Sequence, residues 1–154
     1  AEGRLQVWTH GIVPYSRAEA TYHAVTAYLD SVAETIAAHD IVATISVLPV
    51  ADGFFVEPVL AWHDAPEALH REGLGGAPVP EQVHAPNPAA RAAVADIREG
   101  LRDLFRDLGA AHFQIGKFFD YQGGLDPVAR ETLAALKRTL DPRGLMNPGV
   151  LGLS

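Results

Sequence analysis

Apolar positions along this chain switch between two periods. Residues 5–14, LQVWTHGIVP, place Val, Trp, Thr and Ile before a proline, the composition of a first strand. Over 15–40, Tyr22, Val25, Leu29, Val32 and Ile36 recur at steps of three and four, which marks one apolar face of a helix. Ser16 with Glu19 three residues on predicts a capping box, each side chain satisfying a free N–H of the first turn. Residues 41–50, IVATISVLPV, are rich in β-branched side chains and read as a second strand ending near Pro49. Asp52-Gly53 is a hairpin signal, and 54–63, FFVEPVLAWH, reads as a third strand antiparallel to the second. Pro58 inside it predicts an edge position or a bulge, since proline offers no N–H to a ladder.

Residues 64–86 carry four prolines and the run GLGG, an excursion with at most a short helix around 66–71. Such a loop is either functional or a tolerated surface insertion. Asn87 is placed to cap a second long helix, Pro88 to open it, and Gly109 to close it, with Val94, Ile97, Leu101, Leu104 and Leu108 as its stripe. Residues 111–121, AHFQIGKFFDY, read as a fourth strand. Asp126-Pro127 starts a last helix with Leu133, Leu136 and Leu140 on one side. The order β-α-β-β-α-β plus a helix and tail predicts an α+β, ferredoxin-like fold: an antiparallel sheet with two helices on one face. The other sheet face is then left to cover a ligand, a partner or another domain.

The chemistry available is narrowed by composition. The chain has 154 residues, 48% of them apolar, enough for one core, and no cysteine, so thiolate metal sites, disulfides and cysteine nucleophiles are excluded. A net charge of -7 without basic runs argues against nucleic acid. No run of 18 apolar residues and no leader sequence is visible, which leads to the expectation of a cytoplasmic protein without a membrane-spanning segment. None of the seven histidines falls in HxH or HExxH spacing, so no metal is expected; strands could still bring His10 to His112. His23 and His39 read as helix-surface residues.

In the fourth strand, alternation puts His112, Gln114, Gly116 and Phe118 on one face and Phe113, Ile115, Lys117 and Phe119 on the other. The first set is either a substrate-orienting surface or a solvated face with a glycine bulge. Lys117 either steers an anion or snorkels at the strand end. Glu57 either orients a substrate and accepts a proton, or is a charge that protects an edge.

The end of the chain, LKRTLDPRGLMNPGVLGL (136–153), resembles the C-terminal signature of FAD-linked oxidases and dehydrogenases of the vanillyl-alcohol-oxidase / p-cresol-methylhydroxylase superfamily. The shape there is a helix followed by L-D-P-x-G-[IL]-[LM]-x-P-G, and Leu140, Asp141, Pro142, Gly144, Pro148 and Gly149 match it. The segments AHFQIGKFFDY and FFVEPVLAWHDAPEALHR also look like cap-domain segments of such proteins. The resemblance implies that residues 1–125 are a cap (substrate) domain. Residues 126–154 would be a helix and tail that return to an upstream flavin-binding domain, since this chain is too short for both. It implies FAD as cofactor, held mainly by that other domain, and oxidation of an alcohol by hydride transfer to flavin. The alcohol would be a 2-hydroxy acid such as lactate or glycolate, or a phenolic alcohol.

His112, Gln114, Lys117, Glu57 and His10 are then the candidates facing substrate, and Arg143 and Asn147 the candidates near cofactor. The metal-binding segments of 2-hydroxy-acid dehydrogenases are replaced here by SVLPVADGFF and HFQIG, so the resemblance implies no metal. A phenolate-binding Tyr-Arg pair is not evident either. Taken alone, the chain is expected to be inactive, with homo-oligomer formation possible. The alternative is a freestanding ferredoxin-like module that binds a small molecule or regulates, dimeric through its open sheet face.

Overall fold

The structure is a computed structural model that describes residues 3–66, 68–73, 84–114 and 116–153. Four antiparallel strands form its sheet: β1 (Leu5–Trp8), β2 (Gly11–Val13), β3 (Val42–Val50) and β4 (Gly53–Trp62). β4 is central. β3 pairs along one side of it through a hairpin turn at Ala51-Asp52, one residue before the expected Asp52-Gly53, and β1 and β2 lie end to end along the other.

Leu5 faces Trp62, Trp8 faces Val59, Gly11 faces Val56 and Val13 faces Phe54, without a slip. β1 and β2 are thus one strand with a break, as the single run 5–14 predicted. The break is at Thr9, whose N–H donates to the Pro58 carbonyl at 3.1 Å. Pro58 has no N–H to return, so this pair makes one bond instead of two. The expected edge or bulge at Pro58 is therefore corrected: the proline sits in the central strand and costs the sheet one bond.

That same bond sets the direction of the others. Even-numbered residues of β4 bond toward β1 and β2, and odd-numbered ones toward β3. Side chains alternate as well. Phe54, Val56, Leu60 and Trp62 share a face with Val7, Gly11 and Val13, while Phe55, Glu57 and Val59 share the other with Trp8, His10 and Ile12.

The first face carries the core. α1 (Ala18–Ser31) contributes Val25 and Leu29, α2 (Ala33–Ala38) contributes Ile36, and Val32 lies at the kink between them. Beyond the short α3 (Ala68–Gly73), α4 (Pro88–Asp107) contributes Val94, Ile97, Leu101 and Phe105. These join Val56, Leu60 and Trp62 in one cluster. Each buried side chain of this size stabilises by roughly 1.5–3 kcal/mol. Gly11 leaves room for Phe105 of α4: a Cβ there would stand 2.4 Å from Cδ1 of Phe105. Tyr22, expected in the stripe of the first helix, is largely exposed, and Thr21 is buried instead.

Helix ends follow the sequence with one exception. Asn87 Oδ1 accepts from Ala90 N at 3.1 Å, Asp126 Oδ1 accepts from Ala129 N at 2.8 Å, and Gly109 closes α4 with φ 65°. The capping box of Ser16 and Glu19 does not form. Tyr15–Arg17 makes a 3-10 turn in which Arg17 N–H reaches the Pro14 carbonyl at 2.9 Å, and α1 begins without a side-chain cap.

The expected fourth strand is also corrected. Only Ala111 pairs, with Ile12, through two bonds of 2.9 Å; residues 112–126 otherwise bend and turn, Ile115 lying outside the described residues. The backbone N–H groups of Phe113 and Gln114 go to the imidazole of His10 instead of a ladder. α5 (Pro127–Leu140) follows and buries none of its side chains, so the apolar side predicted for it stays open at Leu136 and Leu140. Residues 67 and 74–83 of the 64–86 excursion, including all of the GLGG run but Gly73, lie outside the described residues.

A residue that the hydrophobic pattern did not single out ties the sheet to α4. Asp64, just past β4, is fully buried and accepts from Arg91 Nε (2.8 Å) and Nη2 (2.9 Å), Trp62 Nε1 (3.2 Å), and the N–H groups of Ala65 and Asn87 (2.8 Å each). Burial alone would push its carboxyl up. The Arg91 guanidinium, the two N–H groups and the indole outweigh that and hold it well below the usual carboxylate range. Replacing Asp64 with Ala leaves these donors without their acceptor and lowers stability by about 3 kcal/mol. Urea unfolding will show this as a lower midpoint with an unchanged slope.

Candidate functional site

His10 lies at the centre of the second sheet face. It comes from the outward-bonding register of the β1–β2 strand, directly opposite Glu57 of β4, and is fully buried. Phe55, Phe113 and Phe119 surround its ring at centroid distances of 5.8, 4.3 and 4.9 Å. Nε2 accepts from Phe113 N (3.2 Å) and Gln114 N (3.4 Å), so this nitrogen carries no proton and Nδ1 carries it. Nδ1 is buried without a partner among the described residues. Burial, together with nearby His112, pushes His10 down to about 4.

His112 is fixed by the other end of the same residue. Its Nδ1 lies 2.7 Å from the His10 carbonyl and must donate to it, which leaves Nε2 as an acceptor. The ring stacks on Phe119 at 4.0 Å, and burial lowers its pKa, partly offset by the bond to His10. His112 borders a cavity of about 410 Å³ whose lining includes Arg102, Arg106, Ala111, Asp120 and Tyr121. Phe118, nearby, lies 3.7 Å beneath the Arg98 guanidinium.

The other candidates divide. Glu57 is half-buried opposite His10, and burial raises its carboxyl. Gln114 joins the cluster through its backbone, while its side chain is exposed. Lys117 stands apart beside the tail: its Nζ is 3.9 Å from where a Cβ on Gly149 would be. The faces expected from strand alternation at 112–119 therefore do not exist, since Phe113 is exposed and Phe119 buried. His10, His112 and Glu57 are brought together; Lys117, Arg143 and Asn147 are not part of that cluster.

Arg143 and Asn147 belong to a turn organised by Asp141. Its carboxylate accepts from Leu145 N (2.9 Å), Met146 N (2.8 Å) and Lys137 Nζ, and Lys137 foremost holds it down to about 2. Gly144 (φ 63°) and Gly149 (φ 77°) take conformations that disfavour a Cβ. Leu151 N–H then reaches the Gly116 carbonyl at 3.0 Å, and Gln122 Nε2 the Gly152 carbonyl at 2.9 Å, fastening the tail to the loop beside the site.

Among the described residues no three His, Asp or Glu side chains converge as metal ligands, and no helix is long and apolar enough to cross a membrane. The first turns of α4 and α5 are closed by their own Asn87 and Asp126, which leaves those helix starts without a phosphate cradle. No protein-family model and no curated protein sequence matches the chain.

His10 makes the cluster sensitive to acid. An unfolded chain protonates this imidazole below about 6.5, the folded chain only below about 4. Stability is therefore lost as pH falls through that window, by about 3 kcal/mol once below it. Glu57, raised by burial, works in the opposite direction. Unfolding midpoints measured from pH 7 to 4 should fall for the wild type and flatten for His10→Gln.

Proposed function

We propose that this chain is the C-terminal, substrate-side portion of an FAD-dependent oxidoreductase that oxidises an alcohol, a 2-hydroxy acid such as lactate or glycolate or a phenolic alcohol. The observation that carries the reading is the tail. In LDPRGLMNPG the positions matching the family pattern include Asp141, Gly144 and Gly149, and each has a structural task in the turn. Arg143, Leu145, Met146 and Asn147 remain exposed, available to a surface outside this chain. The sheet order β3-β4-β1/β2, with Ala111 beyond β2, supports a ferredoxin-like reading of the cap domain.

In this reading the upstream domain holds the flavin, which supplies the hydride acceptor. This chain walls the substrate: the Nε2 acceptor of His112 takes a hydroxyl proton in a hydrogen bond, and His10 fixes the tautomer that makes it an acceptor. In this reading Glu57 stands behind His10 on the same sheet face, and Lys117, Arg143 and Asn147, which lie outside the histidine cluster, meet the flavin domain.

The full-length gene product decides the matter. It should be yellow, and D-lactate, glycolate or vanillyl alcohol should bleach it without oxygen. A colourless full-length protein would overturn the reading in favour of a freestanding ferredoxin-like binding module.

A further inference from the structure

The two edges of the sheet are treated differently. At β2 the outward groups are covered: Ile12 exchanges both bonds with Ala111, and the His10 carbonyl accepts from His112. At β3 they are not. The register with β4 directs the even-numbered residues of β3 inward, so Ala43, Ile45 and Val47 point their N–H and C=O groups out. No described residue bonds to these groups. Tyr15 Oη donates to the Val50 carbonyl at 3.3 Å, but Val50 is an inward position at the hairpin end and leaves the outer groups untouched.

Natural monomers protect such an edge with lysines, a bulge, a short strand or an internal proline. β3 has nine residues, VATISVLPV, with no charge, and all nine keep register with β4. Its one proline, Pro49, falls at an outward position near the end. Val42, Val47 and Leu48 are each more than two-fifths exposed. On the helix side an apolar trough runs beside the edge, lined by Tyr22, Leu29, Ile36 and Ile45, with Asp30 also in its wall.

We propose that β3 pairs with β3 of a second copy of this chain, antiparallel about a two-fold axis beside Ile45. In this register Ala43 faces Val47 of the second copy and Ile45 faces its own counterpart. All three outward N–H groups then find carbonyls, for about six backbone bonds. Pro49 falls just beyond the last of them, where no donor is required. The strand's neutrality selects this occupant. Each chain carries a net charge of -7, and an uncharged seam is where two such chains can meet without placing like charges face to face. The troughs of the two copies come to flank the seam, adding apolar area that one strand alone lacks. The inference is independent of the flavin reading, because it uses neither the site nor the tail.

Sedimentation equilibrium of this chain over a range of concentrations should show a reversible monomer–dimer equilibrium, strengthened by salt. Amide exchange supplies the location: protection at Ala43, Ile45 and Val47 should rise with concentration, while Thr44 and Ser46, bonded to β4, should not change. Val47→Pro removes an outward donor and Val47→Lys adds an edge charge, both at a half-exposed position. Each should weaken dimerisation by about tenfold or more while leaving circular dichroism and cooperative unfolding intact. A chain that stays monomeric at every concentration overturns the proposal. So does a dimer whose Ala43, Ile45 and Val47 amides gain no protection, which would point to the open sheet face instead.

Discussion

β4 is bonded on both sides, and a strand in that position leaves its neighbours no freedom of register. Its even residues are committed to the N-terminal strand and its odd residues to β3, so a slip of one residue on either side would turn the core face outward. Three features follow from this single constraint. Pro58 interrupts β1–β2 without shifting it. His10 is delivered opposite Glu57 on the face away from the core. Ala43, Ile45 and Val47 are left with their backbone groups turned out.

The second dependence is on one side chain. A fourth strand at 111–121 would have satisfied its backbone through a ladder, with side chains alternating in and out. The His10 ring takes two of those N–H groups and its carbonyl takes the His112 ring, so the segment closes over the sheet as an aromatic lid. The arrangement requires His10 to be neutral, and its surroundings of Phe55, Phe113 and Phe119 secure that by withholding solvent from the charged form. The buried Nδ1 is the cost of using a two-nitrogen ring where one acceptor was needed.

Much of this was legible in local sequence because local chemistry decides it. Asn87-Pro88, Asp126-Pro127 and Gly109 bound helices by bonds within a few residues, and the stripe of α4 needs only its own periodicity. Where the reading went astray, a distant partner decided. AHFQIGKFFDY has the composition of a strand, but two of its N–H groups, those of Phe113 and Gln114, are claimed by a residue more than 100 positions earlier. Ser16 and Glu19 have the capping spacing, yet Tyr15–Arg17 is wound into a 3-10 turn and α1 starts only at Ala18, so Ser16 does not stand at the N-cap position. Asp64 was not singled out, and its partner Arg91 lies 27 residues on, at no spacing that a motif would flag. In the site, His10 and His112 were visible as candidates, but the tautomers that give them their character come only from the geometry.

The bond between His10 and His112, spanning 102 residues, also has a meaning for how the chain is made. The β3–β4 hairpin holds only neighbours and can assemble while the rest is still being synthesised. The N-terminal strand cannot: its inner partner emerges with β4, and its outer cover only after residue 114. Residues 10–13 thus leave the ribosome well before their cover does, and Ile12 and Val13 spend that interval as uncovered apolar surface. The segment most in need of a chaperone's attention is the one that ends at the heart of the fold.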